Sequence, residues 1–270
     1  MNENLGIILS HNRLSILDTS INGTQPMKSY CGRYILSYNG EIYNYLSLKK
    51  KLLDNDIKFN SNTDTEVLVN SISFFGLKFT LQYINGMYAF ALWDIKNHEL
   101  HLCRDRYGQK PLYYSFFDNI FIFSSELKTI KNYYKSKLRI NENAVYGFNK
   151  YGYINEPNTI YQNVYKLNAS HKLKISIPDL HNNLKPKPVR YWDLRKNLKS
   201  ISLDKYTNFA EAKNEIFKEI EKSVIECMVS DVPIGSFLSG GIDSSIVSYF
   251  MQKNSVNKIN TFSIGSENNN

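Results

Sequence analysis

At 270 residues the chain is too long for one ordinary small domain and fits one large or two medium ones. Its 42% apolar and 21% charged residues exclude a disordered chain, and the lack of any run of about eighteen apolar residues excludes a membrane-spanning helix. The net charge of +8 comes from lysines scattered at 49–51, 131–137 and 183–188 with no aromatic-rich basic stripe, so neither nucleic acid nor membrane is expected as a partner.

The opening MNENLGIILSHNR has neither the basic start nor the apolar length of a signal peptide, and the expected compartment is the cytoplasm. To about residue 165 the chain reads mostly as strands. Residues 5–18, 32–44, 87–105 and 112–126 carry β-branched and aromatic residues in short runs, broken by Asn-Gly, Asp-Asn and similar turn signals. Between them stand two helices. One runs from Tyr43 to Asn55; the other runs from Asp64 to Phe75, with Val67, Leu68 and Ile72 at helical spacing and Thr63-Asp64-Thr65-Glu66 as its start. Strands paired with a few helices suggest a layered α+β domain.

Residues 166–205 hold three prolines and no clear period, and read as a linker with one short strand. A helix over Asn208–Met228 places Phe209, Ile216, Ile220, Val224 and Cys227 on one side. A strand at Val232–Leu238, a glycine turn, a helix at Asp243–Lys253 and a strand at Lys258–Ile264 are the start of a parallel α/β sheet. Two parallel strands make no complete core, so the chain is expected to be cut short. Cys31, Cys103 and Cys227 are odd in number and far apart, which argues against a disulfide framework and a CxxC metal site.

Ser239-Gly240-Gly241-Ile242-Asp243-Ser244-Ser245 follows an apolar run and opens a helix. Two glycines admit a ligand close to the backbone, hydroxyls donate hydrogen bonds, and a helix N-terminus adds partial positive charge; together these bind phosphate. No Gly-Lys-Ser/Thr follows and no G-x-G-x-x-G is present, so the string is neither a Walker loop nor a Rossmann fingerprint. The plain alternative is a helix cap in which Ser239 or Asp243 satisfies free N–H groups. The length of the string favours phosphate.

SGGIDSS resembles the pyrophosphate loop of N-type ATP pyrophosphatases, and the longer SDVPIGSFLSGGIDSS resembles glutamine-hydrolysing asparagine synthetases. Earlier strings agree in order with that family's class II glutamine amidotransferase domain: HNRLSILD from His11, NGEIYN from Asn39, DTE from Asp64, GMYAFA from Gly86 and RDRYGQKPLY from Arg104. The resemblance implies an N-terminal-nucleophile-type αββα sandwich over 1–165, a linker over 166–205, and over 206–270 the beginning of an adenine nucleotide hydrolase-like parallel sheet. It implies a carbon–nitrogen ligase. A thiol frees ammonia from glutamine, and ATP with Mg2+ activates a carboxylate, aspartate, as an acyl-adenylate. No prosthetic group is implied, and full-length relatives are often homodimers. Amidation of another carboxylate, such as a sugar acid, or a non-catalytic glutamine- or ATP-binding role are the alternatives.

By the same resemblance Arg13 holds the glutamine carboxylate, a task that suits a guanidinium fork, and the backbone of Leu14, Ser15, Ile16 and Leu17 lines the pocket. The Asn39 side-chain amide and the Gly40 backbone N–H form an oxyanion hole, and Glu41 and Asp64 grip the α-amino group. Leu238 and Ile264 touch adenine or ribose by main chain. Ser239, Gly240, Gly241, Asp243 and Ser244 cradle the pyrophosphate, with Asp243 a candidate Mg2+ contact. Read without the resemblance, Asn39-Gly40 is a strong hairpin signal, Asp64 a helix-start residue, and Leu238 and Ile264 core. The family's Met-Cys-Gly-Ile start has no counterpart here, and Cys31 and Cys103 read as small buried hydrophobes. The expectation is a piece truncated at both ends and inactive as a glutaminase.

Overall fold

A computed structural model describes residues 7–117, 120–199 and 208–265. The chain divides into two compact units: Met1–Leu14 with Ser20–Leu194, and Ser15–Thr19 with Arg195–Asn270. In the first unit β1 (Met27–Lys28) and β2 (Tyr34–Ile42) precede α1 (Tyr45–Leu53), α2 (Asp64–Phe75) and α3 (Leu77–Tyr83). Then come β3 (Gly86–Asp94), β4 (Glu99–Arg104), β5 (Tyr113–Phe117), β6 (Ile120–Ser124), α4 (Leu127–Tyr134) and α5 (Glu142–Tyr151). After these stand β7 (Val164–Lys166), β8 (His171–Ser176), α6 (Ile177–His181) and β9 (Val189–Arg190), and α7 (Leu194–Lys199) spans the boundary.

Among the described residues, the first unit's strands form two antiparallel sheets, ordered β1-β2-β3-β4-β8-β9 and β6-β5-β7. Alternation along each strand decides which side chains meet. Ala89, Ala91 and Trp93 of β3, Leu100 and Leu102 of β4, and Leu173 and Ile175 of β8 share one buried cluster with Leu112, Tyr114 and Leu167, and Phe121, Phe123 and Tyr165 pack against it. The two sheets therefore meet face to face. Leu36, Tyr38 and Phe90 are buried on the other face of the larger sheet, against α2, whose residues from Asp64 to Ile72 are all buried. Ile130 and Tyr134 of α4 cover the smaller sheet through Val164, Tyr113, Phe117 and Ile122. Helix, sheet, sheet, helix is the αββα sandwich that the resemblance implies.

Asp64–Phe75 forms the expected helix, because Thr63 caps its start and Gly76, at φ +85, ends it. The strand expected over 5–18 does not form in its described part, where Ile7 alone makes a bridge. Ile7 and Leu9 instead pack side chains onto the core between the sheets, and the Ser37 hydroxyl donates to the Ser10 carbonyl at 3.3 Å. Asn39-Gly40 is not a turn. It lies inside β2, opposite Ala89 and Tyr88, and a Cβ on Gly40 would strike the Met87 carbonyl and come within 2.7 Å of the Tyr88 Cα. Cys103 is buried as expected, but Cys31 is exposed, with its thiol 2.9 Å from the Ser73 hydroxyl. The stretch read as a linker contains β8, which pairs with β4.

Arg104, at the end of β4, is 1% exposed. Its guanidinium donates to the Glu156 carboxylate at 2.7 Å, to the Lys110 carbonyl at 2.7 Å, and to the carbonyls of Gly108 and Leu167. Asp105 is fully buried and its carboxylate accepts the N–H groups of Tyr88, Tyr107, Gln109 and Lys110. These two residues hold the loop that follows β4 against the end of β3.

The second unit holds α8 (Phe209–Glu226), β10 (Gly235–Phe237), α9 (Ile242–Lys253) and β11 (Asn260–Phe262). β10 and β11 are parallel, with Ser236 opposite Thr261. Val224, Phe250 and Met251 form its buried cluster, with Ile220, Ile234, Ile246 and Ile259 packed around them. Of the stripe expected along α8, Phe209 and Ile216 are exposed, because α8 meets α9 through its C-terminal half, at Phe217, Glu221 and Val224. Among the described residues no helix is long and apolar enough to cross a membrane.

Removing a buried charge partner strands the groups it served. Arg104→Met is expected to lower unfolding free energy by about 3–5 kcal/mol, whereas Lys174→Met, the exposed partner of Glu99, changes it by less than about 1 kcal/mol. Urea unfolding followed by tryptophan fluorescence reads both.

Candidate functional site

The C-terminal end of β2 and the first turn of α2 bring acids together. Thr63 Oγ1 accepts the Glu66 N–H at 3.2 Å, which places Asp64 at the first helical position. Asp64 Oδ2 accepts the Tyr38 hydroxyl at 2.7 Å and the Ile42 backbone N–H at 2.9 Å. Burial and the Asp64 charge hold the Tyr38 hydroxyl protonated, so it serves as a donor. Glu41 and Asp64 are 9% and 6% exposed. Burial pushes the Glu41 carboxyl up to about 7; the Asp64 charge adds to the rise and the Lys110 ammonium opposes it. Burial also raises Asp64, against the hydrogen bonds from Tyr38 and Ile42. Two carboxylates with little water and a mutual repulsion form a place that favours a bound ammonium.

Asn39 and Gly40 sit beside this pair on β2, half-buried. The Asn39 Nδ2 donates to the Ser125 hydroxyl at 3.3 Å. Arg13 is half-buried, donates to the Ser20 carbonyl at 3.2 Å, and lies where a Cβ on Gly23 would be. Burial and the neighbouring Arg13 charge lower the pKa of His11. Arg13 and Leu14 belong to the same unit as Asn39, Gly40, Glu41 and Asp64, and the Leu14 side chain is exposed. Ser15, Ile16 and Leu17 belong to the second unit. There the Ile16 carbonyl accepts the Asp231 N–H at 2.9 Å, the Asp18 N–H donates to the Asp231 carboxylate at 2.7 Å, and Leu17 is buried.

In the second unit Gly240 takes φ +83, and no atom lies within 4 Å of where its Cβ would be. The Ser244 hydroxyl donates to the Gly241 carbonyl at 3.1 Å, accepts the Ser239 N–H at 3.3 Å and lies 3.1 Å from the Ser239 hydroxyl. Gly241 opens α9 with no side-chain cap, so first-turn N–H groups and the helix dipole face outward. Asp243 is exposed in that turn. Leu238 follows β10, with its N–H on the Phe262 carbonyl at 2.8 Å; Ile264 follows β11 and is exposed. Both stand at the carboxyl ends of parallel strands, where nucleotides bind in open α/β sheets. The uncapped turn and the open space at Gly240 fit a phosphate chain. Among the described residues no three His, Cys, Asp or Glu side chains gather as a metal site.

The profile of the family described as "Glutamine amidotransferase domain" matches residues 1–192. The chain belongs to this family. The profile described as "Asparagine synthase" matches residues 215–270, downstream of the amidotransferase domain. Among curated relatives, the "Putative asparagine synthetase (glutamine-hydrolyzing) 2" of Methanocaldococcus jannaschii is 38% identical over 98% of this chain and 52% of its own length. Asparagine synthetase (glutamine-hydrolyzing) 1 of Bacillus subtilis is 32% identical over 94% of this chain and 38% of its own. The chain thus spans about half the length of the first of these relatives or less. Among solved structures, the glutamine phosphoribosylpyrophosphate amidotransferase of B. subtilis aligns at TM-score 0.47 and 18% identity, over 93% of this chain and 50% of that one.

Sequence reasoning missed Tyr38, Lys110 and Ser125, which stand around Asn39, Glu41 and Asp64. Tyr38 is found by counting two back from Gly40 on one face of β2, but Lys110 comes from the loop after β4 and Ser125 from the residue after β6. The raised carboxyl of Glu41 gives a pH signature to the amidotransferase domain. Between pH 4.5 and about 7 the unfolded chain has released the Glu41 proton and the folded chain keeps it. The Glu41 contribution to stability therefore falls as pH rises through that window and levels off above it; Asp64, also raised, adds the same sign, while His11 and His101, lowered by burial, act with the opposite sign below 6.5. Glu41→Gln is expected to remove this falling contribution, so that the mutant's urea midpoints fall less, or rise more, than the wild type's between pH 4.5 and 8.

Proposed function

We propose that the protein is the amidotransferase portion, with the start of the ATP-binding portion, of an asparagine-synthetase-type ligase. Water hydrolyses the glutamine amide to glutamate and ammonia. ATP and the aspartate carboxylate give aspartyl-AMP and pyrophosphate, and ammonia displaces AMP to give asparagine. The observation that carries this reading is the buried Glu41–Asp64 pair beside Asn39 and Gly40. An α-ammonium between the two acids relieves both their desolvation and their repulsion. Arg13, in the same unit as the two acids, takes the α-carboxylate. Asn39 Nδ2 and the Gly40 N–H meet the developing oxyanion, where one donor is worth about 3 kcal/mol.

By the resemblance the attacking thiol stands at the mature N-terminus of such an enzyme, and the residues described here build the pocket around the amide. In the second unit Ser239, Gly240, Gly241 and Ser244 receive the pyrophosphate of ATP, and Leu238 and Ile264 flank the nucleoside. Asp243 would share a Mg2+ with phosphate oxygens, and that ion supplies charge neutralisation.

Isothermal titration of glutamine into the chain tests the pair directly. Binding is expected for glutamine and lost for glutaramate, which lacks the α-amino group. Glu41→Gln is expected to weaken glutamine about tenfold or more, the loss of a charged hydrogen bond of about 1.5–3 kcal/mol. Glutaramate binding as tightly as glutamine would sink the proposal.

A further inference from the structure

Asn39 is held from the opposite sheet. Along β2 the side chain of Tyr38 turns to Asp64 on the helical side, and Asn39 turns the other way, with its ladder partner Ala89, toward the core between the sheets. The smaller sheet reaches the same place. β6 ends at Ser124, paired with Tyr113, and the next residue, Ser125, stands half-buried before α4. Its hydroxyl accepts the Asn39 Nδ2–H at 3.3 Å, a contact across 86 positions of sequence.

A primary amide has a donor end with two protons and an acceptor end, and its terminal torsion is soft. Left unbonded, Asn39 would turn its carbonyl oxygen as readily as its nitrogen toward a ligand oxygen. A hydroxyl that accepts one Nδ2 proton fixes which end faces the ligand and leaves the second proton to meet it. We propose that Ser125 is a positioning residue, whose hydroxyl orients the Asn39 amide so that its second N–H is presented to the side-chain carbonyl oxygen of glutamine. The inference rests on Asn39 as an oxyanion donor. Ser125 itself does not touch the substrate. A serine or threonine fills this role, and an alanine does not.

Side-chain amide 1H–15N spectra of the labelled chain test it, with the Asn39 pair assigned by its loss in Asn39→Asp. In the wild type, glutamine is expected to move one Asn39 Nδ2 proton far more than the other. Ser125→Ala is expected to shift both protons toward the values of a solvated amide and to weaken glutamine roughly three- to tenfold, the range for one net hydrogen bond. Ser125→Thr is expected to restore both readouts, which a merely structural role would not do. Unchanged Asn39 signals in Ser125→Ala overturn the proposal, whether or not affinity falls. So does an unchanged glutamine Kd in that variant. A wild-type chain that binds no glutamine overturns the functional reading, and with it the presentation to glutamine. The wild-type titration alone tells that failure from a failure of positioning.

Discussion

The Asp64 carboxylate ties the first strand of the site to the helix behind it. One oxygen accepts both the Tyr38 hydroxyl and the Ile42 backbone N–H. Those residues flank Asn39, Gly40 and Glu41, so the anchor sets the position of all three. The helix supports the acid in return, because the N-terminal end of a helix favours negative charge. Gln25 strengthens the same junction, with its side chain bonded to the Tyr38 backbone and to the Thr65 hydroxyl. Glu41 then has no low-energy choice. Burial and the nearby Asp64 charge push its carboxyl up to about 7, and a cation bound there would favour the charged form.

A second pair of buried charges supports the other end of the site. Arg104 and Asp105 bind backbone carbonyls and N–H groups on both sides of the loop from Arg106 to Lys110. Asp105 also accepts the N–H of Tyr88, the ladder partner of Gly40. Isolated buried charges are costly, and here each has several partners. The loop that carries Lys110 toward Glu41 is thus fixed by the ends of β3 and β4. The second unit uses a lighter device. Serine hydroxyls brace the turn between β10 and α9, while the helix N-terminus is left uncapped by side chains. Bracing without capping leaves the first-turn N–H groups of α9 without a side-chain acceptor.

The local signals that were legible are those whose physics is local. The cap at Thr63, the stop at Gly76 and the apolar spacing between them set α2 without help from elsewhere. The string from Ser239 to Ser245 is likewise contiguous, and its turn and helix follow from its own residues. The αββα layering was legible only through resemblance, since alternation says that a strand has two faces and not which sheet covers each.

Other features depended on partners far away in the chain. Asn39-Gly40 has the composition of a hairpin, but nine ladder pairs with β3 keep it straight and the missing Cβ lets the strands close. Residues 7–18 alternate like a strand, yet beyond the bridge at Ile7 they form no strand, and Ile7 and Leu9 pack by their side chains. Cys31 has the look of a small core residue and is exposed, because β1 and β2 turn it outward to Ser73. The sequence by itself determined the limits of α2 and the turn that opens α9. Tertiary structure alone decided that Glu41 and Asp64 share one buried place, and that Ser125 meets Asn39. Burial and through-space contact are set by which sheets and helices stack, and no stretch of adjacent residues encodes that.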